Sequence, residues 1–345
     1  LKDTVAANYE SQSFYLITVT ATDSGGLTTS QVVVVSVTDV NESASLTLSN
    51  TTVVENIAGG SIGTITVNDP DLDDTYTLSV TGADAAWFEI SGSTLKLKAS
   101  TTADYETQAT YSVTVTVTDA GGLTTSQAFS ITVTNINEAP TAVSLSASSI
   151  AENAAGASVG TLSTTDVDAG DTASYSLSGT DAASFEISSS TLKLKDAVSA
   201  NYESQASYTV VVTTTDASGL TTSQTLTVSV TDVNESASVT ISNTAIVENV
   251  AGGSIGTITV NDPDLDDSFT LSVSGTDAAV FEISGSTLKL KDTVFADYES
   301  QSSYSVTVTA TDTGGISTSQ TFTVSVANTN DAPTALALSA SSVAE

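Results

Sequence analysis

The chain has 345 residues, with 40 Asp and Glu against 7 Lys and Arg, no His, no Cys and no Met, and a formal net charge of -33. That balance excludes nucleic acid and direct insertion into an anionic membrane, which both need a basic face. Without Cys or His it also excludes disulfide frameworks, thiolate zinc sites and the common Ser-His and Cys-His catalytic arrangements. Disorder is the weaker reading of so acidic a chain, because 39% of its residues are hydrophobic and they alternate with polar ones.

The sequence repeats. Tyr9-Glu10 returns at Tyr105-Glu106, Tyr202-Glu203 and Tyr298-Glu299, at spacings of 96, 97 and 96 residues. Asp23, Asp119, Asp216 and Asp312 keep the same spacings, and Asn-Glu at 41-42, 137-138 and 234-235 is closed by Asn330-Asp331. A period near 100 residues is a small domain rather than a solenoid turn. Leu1 starts in mid-repeat and Glu345 follows the start of another, as expected of a window on a longer chain.

In chain order, one repeat reads as all-β. Leu46–Leu48 and Gly63–Val67 are short alternating runs, followed by Tyr76–Val80. Phe88–Ile90 and Thr94–Lys98 flank Ser-Gly-Ser, a hairpin signature. Tyr111–Thr118 puts Tyr111, Val113, Val115 and Val117 on one face and Ser or Thr on the other. Asp119-Ala-Gly-Gly122 is a turn, and Ala128–Thr134 closes the set. About seven short strands in a hundred residues predict a Greek-key, immunoglobulin-like β-sandwich. The expected division is 1-42 as the C-terminal half of a repeat, complete repeats at 43-138, 139-235 and 236-331, and 332-345 as the start of another. The connectors are short and carry no Gly/Ser hinge, so successive sandwiches are expected to form a rod. Asp39-Val-Asn-Glu-Ser recurs at Asp232, whereas Asn135 and Asn328 begin a second form, so a unit of 193 residues is duplicated.

The acids fall in the loops at the sandwich ends. Glu55, Asp104, Glu106, Glu138, Asp166, Asp168 and Asp216 are seven carboxylates that can converge on the connector at Asn137-Glu138. Packed together they repel unless a cation holds them. Oxygen ligands without His or Cys select calcium or magnesium, and flexible loops with backbone carbonyls favour calcium, at about two or three ions per junction. Asp73, Asp74, Asp266 and Asp267 read as solvated surface charge, and Tyr105 and its equivalents as core or loop-anchoring residues.

These motifs resemble the cadherin repeat, specifically the cadherin-like repeats of large bacterial surface adhesins. Val54-Glu55-Asn56, Ala151-Glu152-Asn153 and Val247-Glu248-Asn249 look like the family's Pro-Glu-Asn motif. Asp104-Tyr-Glu106 and Asp297-Tyr-Glu299 resemble its Asp-Arg-Glu, and Asp69-Pro-Asp71, Asp166-Val-Asp168 and Asp262-Pro-Asp264 its Asp-x-Asp. Asp23, Asp119, Asp216 and Asp312, each with a nearby glycine, match Asp-x-Gly, while Asn137-Glu-Ala-Pro140 and Asn330-Asp-Ala-Pro333 resemble the linker. The resemblance implies calcium ligands around the first connector at Glu10, Asn41, Glu42, Asp69, Asp71 and Asp119. Around the second it implies Glu55, Asp104, Glu106, Asn137, Glu138, Asp166, Asp168 and Asp216. Around the third these are Glu152, Glu203, Asn234, Glu235, Asp262, Asp264 and Asp312, and around the last Glu248, Asp297, Glu299, Asn330 and Asp331. Asn8 and Asn201 depart from the middle motif, so the 234-235 junction is expected to bind calcium less tightly than 137-138. Ser43 and Ser236 interrupt the linker pattern.

No enzymatic activity is expected: Asp312-Thr-Gly314 has Asp-Ser-Gly and Asp-Ala-Gly at its counterparts and reads as a turn. The function implied is a calcium-stiffened, non-enzymatic stalk of a membrane-anchored or secreted adhesin at the cell surface. Its partners are neighbouring repeats through calcium, with like adhesins (homophilic adhesion) or host surface ligands engaged by domains beyond these residues. The alternative is a calcium-dependent carbohydrate-binding array, for which Trp87 is the one candidate stacking residue.

Overall fold

The computed structural model describes residues 5–71, 75–264, 267–333, 335–337 and 339. Asp73, Asp74 and Asp266 lie outside them, so the reading of those three as surface charge stays an expectation. Among the described residues the regular structure is strand, broken only by one-turn 3-10 segments such as Ala85–Trp87, and no helix is long and apolar enough to cross a membrane.

The chain opens with a hairpin, β1 (Phe14–Thr22) and β2 (Thr28–Ser36). The repeat that follows has β3 (Ser45–Leu48), β4 (Thr52–Val54), β5 (Ser61–Asn68), β6 (Tyr76–Thr81), β7 (Phe88–Ser91), β8 (Thr94–Leu97), β9 (Thr110–Asp119) and β10 (Thr124–Thr134). They form two four-stranded sheets, in the orders β3-β5-β8-β7 and β4-β10-β9-β6. All neighbours are antiparallel except β4, which runs parallel to β10. The same two orders recur in the next two repeats, giving tandem Greek-key β-sandwiches.

Eight strands rather than seven result because the first one divides between the two sheets. Asn50 makes the crossing: its Nδ2 donates to the carbonyls of Thr52 at 3.1 Å and Ile62 at 2.9 Å. Gly63 lies against that crossing, where a Cβ would come within 2.8 Å of the Asn50 nitrogen, and β5 shifts register between Ser61 and Gly63. A glycine at a bulge is the device that permits so close an approach.

The alternation in β9 buries Tyr111, Val113, Val115 and Val117 as its period of two dictates. Phe88 packs edge-on against Tyr111 with centroids 5.5 Å apart, a pair repeated as Phe185–Tyr208 and Phe281–Tyr304. With the core filled by these residues, the loops at the strand ends are free to carry charge. Glu55 follows β4, Asp69 and Asp71 follow β5, Asp119 ends β9, and the connector leaves β10.

Two compact units divide the chain: residues 1–141 with 166–172 and 216–220, and the remainder. The acids around 41-42 and 137-138 therefore belong to the first unit, and those around 234-235 to the second.

Candidate metal centres

Each complete repeat buries one glutamate at the end of its short parallel strand. Glu55 is 1% exposed, and its two oxygens accept from the backbone N–H groups of Ile136 at 2.6 Å and Tyr105 at 2.7 Å. Glu152 does the same with Val233 and Tyr202, both at 2.8 Å, and Glu248 with Thr329 at 2.6 Å and Tyr298 at 2.7 Å. One carboxylate thus fixes the connector and the loop before the seventh strand of its repeat together. The tyrosines contribute their N–H and are themselves exposed, Tyr105 by 38%, so of the two expected roles, core or loop-anchoring, they do not take the core one.

In the first unit, carboxylate oxygens of Glu55, Glu106 and Glu138 lie within 4.8 Å of one another. The Glu138 N–H donates to Asp168 Oδ2 at 2.8 Å, and the Asp168 N–H to Asp166 Oδ1 at 3.1 Å. Asn137 Nδ2 donates to Asp216 Oδ2 at 2.8 Å, while the Leu220 N–H holds Asp216 Oδ1 at 2.9 Å. A second trio, Asp166, Asp171 and Asp216, is equally close. Of the seven acids expected here, Asp104 is exposed and its Oδ1 accepts from the Thr107 N–H at 2.8 Å, closing its own turn, while its charge adds to that raising Glu106. The earlier connector repeats the plan. Glu10, Asp39, Glu42 and Asp71 gather within 4.8 Å. The Glu42 N–H donates to Asp71 Oδ2 at 2.8 Å, the Asp71 N–H to Asp69 Oδ1 at 3.1 Å, and Asn41 Nδ2 to Asp119 Oδ2 at 3.2 Å.

In the second unit, Glu152, Glu203 and Glu235 form one trio and Glu203, Asp232 and Asp264 another. The Glu235 N–H donates to Asp264 Oδ2 at 2.7 Å, the Asp264 N–H to Asp262 Oδ1 at 3.0 Å, and Asn234 Nδ2 to Asp312 Oδ2 at 3.0 Å. Gly314 is required beside Asn234, since a Cβ there would lie 2.3 Å from its Oδ1. A cavity of about 520 Å³ is lined by Glu203, Asp232, Asn234, Asp264 and Asp267 among others. At the last connector Asn249 donates to Asp331 at 2.8 Å, Asn328 to Glu299 at 3.1 Å, and the Ser300 N–H to Asp297 at 3.0 Å; Asn330 donates to the Asp331 carbonyl at 3.4 Å.

Crowding shows in the protonation equilibria. Burial, then Glu55 and Asp168, raises Glu106; burial and Glu55 raise Glu138. Burial, then Asp264 and Glu152, raises Asp232, and burial with Asp216 raises Asp171. Hydrogen bonds act the other way: the Asn234 amide and the backbone N–H groups of Ile316, Gly315 and Gly314 hold Asp312 below the usual range.

Three sets of residues escaped the sequence reading. Asp267 is no solvated surface charge: it lines the acidic cavity, its Oδ1 accepts from Thr313 at 2.7 Å, and its Oδ2 is buried without a partner. Its counterpart Asp171 joins the Asp166–Asp216 trio. Asp39 and Asp232 join their clusters from the connector. Asn56, Asn153 and Asn249 each adopt a left-handed backbone, at φ 60°, 62° and 64°. Asn56 and Asn153 donate to Glu138 and Glu235. Asparagine tolerates that conformation, whereas for alanine it costs about 1–2 kcal/mol. Asn56→Ala should therefore lower stability by about that amount in urea unfolding. Asn56→Gly, which relieves the backbone and loses only the bond to Glu138, should cost clearly less.

Oxygens of Glu42, Asp69, Glu138, Glu203, Glu235, Asp262, Asp264 and Asp267 are buried with no hydrogen-bond partner. Buried, unpaired acceptors of one charge sign fit a hard cation, and an all-oxygen donor set fits calcium.

A family model described as Cadherin domain matches residues 49–134, 146–231 and 242–327. The chain is 28% identical over 375 aligned positions to Cadherin-related family member 2 of Mus musculus, covering 97% of this chain and 29% of that protein. It is 34% identical over 137 residues to Protocadherin Fat 1 of Homo sapiens, covering 37% of this chain and 3% of that protein. The solved extracellular domain of Protocadherin GammaB4 superposes with a TM-score of 0.65 at 23% identity, over 93% of this chain and 56% of that one. The chain thus spans less than a third of the length of the curated relatives it matches.

Proposed function

The chain belongs to the cadherin family, as three cadherin domains in tandem, and from that premise we propose that it is the calcium-binding stalk region of a cell-surface adhesion protein. It is an extracellular or cell-surface chain. The relatives described above are mouse and human proteins, so the bacterial part of the expected resemblance has no counterpart among them.

We take the repeats to be 43–138, 139–235 and 236–331, each connector being a calcium site. The observation that carries this reading is the buried, unpartnered carboxylate oxygens at three successive connectors, Glu42, Glu138 and Glu235 among them. Bound there, calcium would neutralise the carboxylates and join ligands from both sides of a connector. The residues already prepare this. Backbone N–H groups of Glu42, Glu138 and Glu235 orient Asp71, Asp168 and Asp264. Amides of Asn41, Asn137 and Asn234 orient Asp119, Asp216 and Asp312. The role is mechanical rather than catalytic, and its immediate partners are the neighbouring repeats. Pairing with a like chain is the finer proposal, tested by calcium-dependent aggregation of beads coated with the protein.

The carbohydrate-binding alternative lacks support. Trp87 is 46% exposed, but its ring leans on Tyr111 at 6.3 Å, and Ser184 and Val280 occupy its place in the other repeats.

Calorimetric titration of the chain with calcium tests the reading directly. Saturable heat at about two or three ions per junction is expected. No heat of binding at millimolar calcium would overturn it.

A further inference from the structure

The middle repeat departs from its neighbours inside its own sandwich. Thr164, Tyr175 and Thr214 stand where the first repeat has Val67, Leu78 and Val117 and the third has Val260, Leu271 and Ala310. Those six are apolar and pack in their cores. The three hydroxyls instead bond one another: Thr164 Oγ1 lies 2.8 Å from Thr214 Oγ1 and donates to Tyr175 Oη at 3.0 Å. Thr164 belongs to the strand Ser158–Thr165 of one sheet. Tyr175 and Thr214 face each other on the paired strands Ser174–Ser178 and Ser207–Thr215 of the other. The hydroxyls therefore form a polar seam that joins sheet to sheet.

Such a seam holds the sheets less firmly than methyl groups do. In water a hydroxyl gives one hydrogen bond and accepts two. Thr164 gives its proton to Tyr175, so Thr214 is the donor to Thr164. Thr214 is 0% exposed and receives a proton from neither partner. Burying a hydroxyl short of its bonds costs free energy. Separating the sheets rehydrates all three hydroxyls, whereas in the first repeat it exposes Val67, Leu78 and Val117 to water. Thr164 and Tyr175 are half-buried, which gives water its way in.

We propose that the middle repeat is the yielding element of the chain, the first to open when the array is heated or pulled, because its sheets meet through hydroxyls where the others meet through apolar groups. This rests on the mechanical role inferred above. Repeats joined end to end by one chain bear the same tension, so the least stable gives way first. Its opening releases roughly 300 Å of chain and unloads the repeats on either side.

Amide hydrogen exchange on the full chain reads each repeat through the same central strand, in peptides spanning 110–119, 207–215 and 303–311. In calcium and in chelator alike, 207–215 should be protected about tenfold less than the other two, equivalent to about 1.4 kcal/mol. Thr164→Val/Tyr175→Phe/Thr214→Val removes the hydroxyls and keeps the packing volume, the exchange that leaves no partner stranded. It should raise protection of 207–215 about tenfold and leave 110–119 and 303–311 unmoved. Thr164→Val alone strands Thr214 and should lower that protection further. The converse graft, Val67→Thr/Leu78→Tyr/Val117→Thr, should cost 110–119 about tenfold, and it carries the test if the triple variant does not fold. Equal protection of the three strands in the wild type, a triple variant no better protected than the wild type, or a graft without effect overturns the proposal. A ranking that persists while calcium changes protection nowhere leaves the seam standing and overturns the calcium reading instead.

Discussion

Transfer from calcium to chelator should lower the melting temperature of this chain by about 10–20 °C while its far-UV β-sheet signal persists at room temperature. The estimate follows from mass action. A site held at a hundred times its dissociation constant adds about 2.7 kcal/mol to the folded state, and 1 kcal/mol moves the transition of a domain this size by about 4–8 °C. The unfolded chain cannot compete for the ion, because Glu55, Glu106 and Glu138 meet only when the connector is bonded to the loop before β9. Removing the ion leaves those carboxylates facing one another, and the burial that raises Glu106 and Glu138 adds to their repulsion. The β-sheet signal persists because the core of each sandwich, with Leu95, Val113 and Ile131 fully buried, contains no part of the junction. Magnesium at equal concentration should recover only a small fraction of the shift, because it demands near-octahedral geometry and sheds water reluctantly. Superimposable melts in calcium and chelator, measured by calorimetry, would remove calcium from the account.

The sheet architecture was legible because strand periodicity is a local property. Tyr111, Val113, Val115 and Val117 alternate in sequence and are buried in the structure for the same reason. The division of the first strand was not legible, since Asn50 looks like any turn residue until its amide is seen to bond Thr52 and Ile62. The buried glutamates could be found by their recurrence before each left-handed Asn. Asp267 was misjudged and Asp171 passed over because distance along the chain hides a turn: Asp171 N–H bonds the Asp168 carbonyl at 3.3 Å and Asp267 N–H that of Asp264 at 3.4 Å. That turn swings a third acid back to the Asp-x-Asp pair, and the spacing Asp-x-Asp-x-x-Asp was its signal. Asp39 and Asp232 were visible as a variant connector, yet their charge acquires meaning only beside Glu10 and Glu203.

Glu152→Ala should be the most damaging single change at a junction, costing about 2–4 kcal/mol in calcium. Glu152 is 3% exposed and serves three segments at once: its own strand end, the loop at Tyr202 and the connector at Val233. Alanine leaves two backbone N–H groups without acceptors, each costing about 1–3 kcal/mol when buried, and water entering the space returns part of that. It also removes one of the oxygens grouped with Glu203 and Glu235, so the calcium form loses more than the hydrogen bonds alone. In chelator the loss should be smaller, because deleting a carboxylate from a like-charged group offsets part of the unpaired N–H cost. Glu152→Gln separates these contributions: it keeps the shape and one acceptor oxygen, so it should cost about half as much as alanine and still weaken calcium binding. Glu55→Ala should behave in the same way, since Ile136 and Tyr105 stand where Val233 and Tyr202 do. Urea unfolding in calcium and in chelator measures all of these differences. If Glu152→Ala changes stability by less than about 0.5 kcal/mol in both conditions, as for an ordinary surface substitution, the buried glutamate is not what ties the connector to the sandwich.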